Sequence, residues 1–120
     1  MIKVLIADDQ AILADGIRSV LSSDREIEVA GIAVNGEEAV RLTEELMPDV
    51  VLMDIRMPVM NGVIATQQIK RRFPAVKVLV LTTFDDSDYI LGAINNGASG
   101  YLLKDTSASA LIDTIKNAYA

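Results

Sequence analysis

The sequence predicts an α/β fold: a five-stranded parallel sheet covered by helices on both faces. Three observations carry this expectation. Short aliphatic runs alternate with longer stretches whose apolar residues recur at helical spacing, and the alternation repeats five times. Most of the runs are apolar throughout, as strands covered on both sides are. The 120 residues suffice for one hydrophobic core but not for two.

Val4-Leu5-Ile6-Ala7 is the first buried run, and Ile12, Leu13, Ile17, Val20 and Leu21 place a helix over Ala11 to about Leu21. Ile27 to Ala33 reads as a second strand; its partial alternation puts it nearer an edge. Asn35-Gly36-Glu37-Glu38 has the pattern of an N-cap with Glu at the third helical position, and the helix that follows stops before Pro48. Val50-Val51-Leu52-Met53 is a third strand with Asp54 at its C-terminal end. Asn61-Gly62 opens a helix to about Arg72, stopped by Pro74, and Val76 to Leu81 forms the fourth strand. A helix from about Asp86 to Asn95 ends at Asn96-Gly97, a left-handed cap signal. Tyr101-Leu102-Leu103 is the last strand, and Thr106 or Ser107 begins the final helix.

Composition narrows the function. The net charge of −6 and 4% aromatic content argue against a nucleic-acid surface, which needs basic residues and stacking platforms. With no cysteine and no histidine, disulfides and thiolate or imidazole metal sites are excluded. Any metal must be held by oxygen, which favours magnesium, calcium or manganese. The first apolar run is stopped at once by Asp8-Asp9, too short for a signal peptide, and no later run reaches membrane length. A cytoplasmic protein with no membrane association is the expectation.

In open α/β sheets, ligands bind beyond the carboxyl ends of the strands. There the sequence gathers Asp8-Asp9 after the first strand, Asp54 after the third, Thr82-Thr83 after the fourth and Lys104 after the fifth. Crowded carboxylates repel one another, so at least one should have a raised pKa unless a cation is present. Magnesium suits such a site, since one or two carboxylates, waters and phosphate oxygens usually hold it. A carboxylate can also attack phosphorus and form an aspartyl-phosphate, whose charge Lys104, Thr82 and a metal would neutralise.

These residues, with Asp54-Ile55-Arg56-Met57-Pro58-Val59-Met60-Asn61-Gly62 and Gly97-Ala98-Ser99-Gly100-Tyr101-Leu102-Leu103-Lys104, resemble the response-regulator receiver domain over essentially the whole chain. The resemblance implies a flavodoxin-like (βα)5 fold with strand order 2-1-3-4-5. It implies that Asp54 accepts a phosphoryl group from a sensor histidine kinase. Asp9 would hold Mg2+ directly and Asp8 mostly through water, with Asp54 and the Arg56 backbone carbonyl completing the protein ligands; Mn2+ is the alternative ion. Lys104 would pair with the phosphate, and Thr82 and Tyr101 would form the switch pair. Chemistry beyond self-catalysed phosphotransfer and dephosphorylation is not implied, so the chain reads as a switch and not as an enzyme.

Leu81-Thr82-Thr83-Phe84-Asp85-Asp86 and Gly100-Tyr101-Leu102-Leu103-Lys104-Asp105 are similar to the NarL/FixJ type, in which a helix-turn-helix effector usually follows the receiver. The expectation is a receiver domain over residues 1–120, with the DNA-binding domain absent from this segment. Phosphorylation would then control homodimerisation and, through the effector, transcription; the alternative is a stand-alone receiver acting by protein–protein contact. An aspartyl-nucleophile phosphatase of the haloacid-dehalogenase type is disfavoured, because its Asp-x-Asp follows the first strand. A flavin-binding protein is disfavoured because Asp8-Asp9 would repel a phosphate.

Taken singly, each of these residues has a plainer reading. Asp8-Asp9 could cap a helix, Asp54 could belong to a turn, and Tyr101 and Lys104 could be surface residues. Thr82 could be an ordinary strand residue, with Thr83 its rival for the role. The set as a whole favours the chemical reading. Asp85, Asp86 and Asp88 read as charges favoured at a helix N-terminus, the methionines as gap fillers, and Arg25, Arg71 and Arg72 as solvated.

Overall fold

A computed structural model describes residues 1–83 and 86–120. The elements alternate as expected: β1 (Ile2–Ala7), α1 (Ala11–Ser22), β2 (Ile27–Ala33), α2 (Gly36–Leu46), β3 (Val50–Asp54), α3 (Gly62–Arg72), β4 (Lys77–Thr82), α4 (Ser87–Asn95), β5 (Gly100–Leu103) and α5 (Ala108–Tyr119). All pairings are parallel, in the order β2-β1-β3-β4-β5. β2 lies at an edge, as its alternation suggested. The fourth strand starts one residue later than the sequence indicated and includes Thr82, and the fifth starts one residue earlier at Gly100.

The pleat sorts the aliphatic runs into two cores. Val4, Ile6, Val50, Leu52, Leu79 and Leu81 face α1 and α5, where Ala14, Leu21, Leu111 and Ile115 pack on them. Leu5, Ala7, Val51, Met53 and Val78 face α2 and α3, meeting Ala39, Val40, Ala65 and Ile69, while Val80 and Ile55 pack with Ala93 of α4. Both faces are covered by helices, and this is why the strands read as continuous apolar runs.

The helix boundaries have local causes. Asn35 and Asn61 each accept a bond three residues on, from the amides of Glu38 at 2.8 Å and Ile64 at 3.0 Å. The Ser107 hydroxyl does the same for Ala110 at 3.1 Å. Met47 ends α2 in the left-handed region (φ 46°), immediately before Pro48, and Gly97 (φ 102°) turns the chain out of α4.

Candidate functional site

Strand parity brings the carboxylates together. Asp8 follows Val4 and Ile6 on one pleat face, and Asp54 follows Val50 and Leu52 on the same face of the neighbouring strand. With Ala7 paired to Met53, the two side chains leave the sheet side by side. Asp8, Asp9 and Asp54 each offer a carboxylate oxygen within 4.8 Å of the other two. Asp8 is fully buried and Asp54 is 2% exposed, whereas Asp9 faces solvent.

Lys104 closes the cluster. Its backbone amide continues the β4–β5 ladder by bonding the Thr82 carbonyl at 2.8 Å, and its ammonium lies 2.9 Å from Asp54 Oδ1. Burial pushes the Asp54 carboxyl up to about 6; the Lys104 hydrogen bond opposes this, and the charges of Asp8 and Asp9 add to it. Burial also raises Asp8, against the Gln10 amide that its Oδ1 accepts at 2.9 Å. Asp8 Oδ2 is buried with no hydrogen-bond partner among the described residues. A partnerless buried carboxylate oxygen is costly, and here it belongs to a group of hard oxygen donors. The donor set therefore fits a divalent ion such as Mg2+, and one lysine does not neutralise three carboxylates.

Two close approaches hold the loop after Asp54. A Cβ on Gly62 would stand 2.2 Å from the Asp54 carbonyl oxygen, and the Gly62 amide bonds the Ile55 carbonyl at 2.8 Å. The amide of Gly36 bonds the Met60 carbonyl at 2.9 Å, with 2.2 Å left for any Cβ there. Between these points Val59 has φ 68°, and the Met60 amide bonds the Pro58 carbonyl at 2.7 Å across it. Ile55 and Met57 are buried beneath the loop. An apolar groove of about 840 Å³, lined by Ile12, Leu13, Ile17, Leu111 and Lys104 among others, opens between α1 and α5.

A profile of the response regulator receiver domain matches residues 4–116. The chain belongs to the receiver-domain family of response regulators. This receiver is 50% identical over its full length to the transcriptional regulatory protein LnrK of Bacillus subtilis (strain 168), of which it covers 54%. It is 46% identical over 96% of its length to the transcriptional regulatory protein DegU of Brevibacillus brevis, covering 49% of that protein. The receiver thus spans about half the length of these relatives. Among solved structures, a DNA-binding response regulator of the LuxR family from Staphylococcus aureus superposes with TM-score 0.93 at 31% identity, covering 100% of both chains. The response regulator domain of Thermotoga maritima CheB gives TM-score 0.92 at 31% identity, covering 99% of this chain and 96% of that one. The LuxR-type similarity agrees with the NarL/FixJ features of the sequence.

Of the residues singled out from sequence, Asp8, Asp9, Asp54 and Lys104 form one cluster. Thr82 differs. It shares parity with Val78 and Val80 and so leaves the sheet on the α3–α4 side, opposite to its chain neighbour Leu81, which pairs with Asp54. Its hydroxyl lies 3.1 Å from Asp86 Oδ2. Tyr101 is 53% exposed and lies on the outside of the edge strand β5.

Asp86 stands at the N-terminus of α4, where the sequence reads a charge favoured by the dipole, but its carboxylate is 4% exposed and its side chain caps no amide of α4 among the described residues. It accepts instead from the hydroxyls of Thr82 and Thr83 and from the Arg56 guanidinium, whose Nε is 2.8 Å from Oδ1 and whose Nη2 reaches the same oxygen. Burial opposes its charge, but the Arg56 bond and the two hydroxyls outweigh that and hold the carboxyl below its ordinary range. Asp88 is exposed in the first turn of α4, as expected of a charge favoured by the dipole. Phe84 and Asp85 lie outside the described residues.

Proposed function

We propose that Asp54 accepts a phosphoryl group from a sensor histidine kinase, with Mg2+ bound beside it, and that the phosphorylated receiver controls an attached DNA-binding domain. The observation that carries this is the convergence of Asp8, Asp9 and Asp54 around an unpartnered Asp8 oxygen, with Lys104 2.9 Å from Asp54. The Asp54 oxygen not held by Lys104 attacks phosphorus as the N–P bond of the kinase's phosphohistidine breaks, and the imidazole nitrogen takes the departing electron pair. Lys104 loses its carboxylate partner in that step and pairs with the new phosphoryl oxygens. Thr82 donates its hydroxyl to another of them. Asp9, Asp8, Asp54 and the Arg56 carbonyl would hold Mg2+, with Mn2+ as a substitute. The ion supplies charge neutralisation for the transferring group.

The output is a two-state equilibrium that the phosphoryl group biases. Thr82 turning toward the phosphate lets the exposed ring of Tyr101 turn inward, which remodels the surface around α4, β5 and α5. Homodimerisation through the altered surface, and DNA binding by a helix-turn-helix domain beyond this segment, follow from the likeness to transcriptional regulators about twice as long. Cytoplasmic operation follows from the same likeness. No helix among the described residues is long and apolar enough to cross a membrane.

Acetyl phosphate can stand in for the kinase as donor. Incubation with it and magnesium, followed by intact mass measurement, should give a single phosphate adduct. Chelation of the metal or Asp54→Asn should abolish the adduct. Rapid turnover of many phosphomonoesters without an adduct would overturn the reading in favour of a phosphatase.

A further inference from the structure

The Thr82 hydroxyl carries one proton and can donate it to one acceptor at a time. It lies 3.1 Å from Asp86 Oδ2 and 3.1 Å from the Thr83 carbonyl, while strand parity turns it away from the face that carries Asp54. Two further groups fix Asp86 in this position, and one of them is itself held by α4. Thr83 Oγ1 bonds Oδ2 at 3.0 Å, Arg56 bonds Oδ1 through Nε and Nη2, and the Arg56 guanidinium lies 5.6 Å over the ring of Tyr89 in α4. Arg56 is two residues from the phosphoacceptor, so one buried carboxylate ties the Asp54 loop, the end of β4 and the start of α4 together.

We propose that Asp86 is a positioning residue that competes with the phosphoryl group for the Thr82 hydroxyl, and that Arg56 holds it in place to do so. The proposal rests on the phosphoacceptor reading of Asp54 and adds to it a named opponent of activation. Thr82 must leave Asp86 before it can serve the phosphate. The unphosphorylated state is stabilised by that bond, and the strength of the Asp86 contact sets how far the equilibrium must be driven.

The test is titration of the magnesium-loaded protein with beryllium fluoride, a phosphoryl mimic, followed by the backbone amide resonances of Thr82 and Tyr101. Asp86→Ala should tighten binding about tenfold or more, the worth of one hydrogen bond to a charged acceptor. Asp86→Asn retains an acceptor without the charge and should fall between Ala and wild type; it also serves if the Ala variant folds poorly. In a Thr82→Val background, Asp86→Ala should change the affinity little, because no hydroxyl remains to compete for. Unchanged or weakened binding in Asp86→Ala, or the same gain with Val at position 82, would overturn the proposal. Wild-type protein that fails to bind, or binding that survives Asp54→Asn, would overturn the phosphoacceptor reading itself. The two failures are thus distinguishable.

Discussion

Asp54→Asn removes a negative charge from a pocket where the carboxyl is 2% exposed and faces Asp8 and Asp9, and the metal-free protein should become more stable for losing it. The folded carboxyl sits at about 6 against an ordinary 3.8, so the folded state binds the proton more tightly than the unfolded chain does. Stability therefore falls as pH rises through that window, and above it the full cost of ionising Asp54 is present. At about 1.4 kcal/mol per unit, the shift corresponds to about 3 kcal/mol. Lys104 already offsets part of the cost in the wild type, and it keeps Asp8 as a nearby charge in the variant. Urea unfolding followed by circular dichroism, in chelator at about pH 7.5, should show Asp54→Asn more stable by about 2–3 kcal/mol. The gain should shrink as pH falls from about 6 toward about 4 and vanish below about pH 3, where both states hold the proton. Magnesium should stabilise the wild type more than the variant and so narrow the gap. A variant that is less stable in chelator at pH 7.5, or a difference independent of pH, would refute this reasoning.

Two further substitutions probe the loop that presents Asp54. Gly62→Ala places a Cβ 2.2 Å from the Asp54 carbonyl oxygen, which backbone cannot accommodate without moving. It should cost about 2 kcal/mol or more in urea unfolding and weaken magnesium binding measured by calorimetry. Val59 holds a β-branched side chain at φ 68°, a conformation that Asn adopts more readily. Val59→Asn should raise stability by about 1 kcal/mol in the same unfolding assay and leave Asp54 competent for phosphorylation by acetyl phosphate.

The carboxylate cluster was readable in the sequence because it depends on two things a sequence displays: where an apolar run ends, and the pleat's period of two. Asp8 and Asp54 end runs of matching parity, so adjacency of their strands suffices to pair them. The adjacency itself is not a local property. Periodicity marks five strands but not their order, and β2-β1-β3-β4-β5 came from the family resemblance. Strand edges moved by single residues at Thr82 and Gly100, where propensity is weak and ladder pairing decides.

The buried network around Asp86 is hidden from the sequence for a physical reason. An acidic residue just before a helix has a sufficient local explanation in the dipole, and nothing nearby in sequence contradicts it. Its burial depends on Arg56, thirty residues away, folding back over the end of β4. The family resemblance gives Arg56 a role only through its backbone carbonyl. The parity of Thr82, even against odd along β4, was legible and already implied that its hydroxyl leaves the sheet on the α4 side. The left-handed Val59 was not legible, because a β-branched residue carries no signal for positive φ.

The claim that Asp54 is the phosphoacceptor is tested most directly by locating the phosphate. Protein treated with acetyl phosphate and magnesium, then reduced with borohydride, converts an aspartyl-phosphate to homoserine, which peptide mass spectrometry can place. Homoserine at position 54, dependent on magnesium and absent from Asp8 and Asp9, is the predicted result. Homoserine at Asp8 or Asp9 in preference to position 54, or equal labelling after the metal is chelated, would contradict the account.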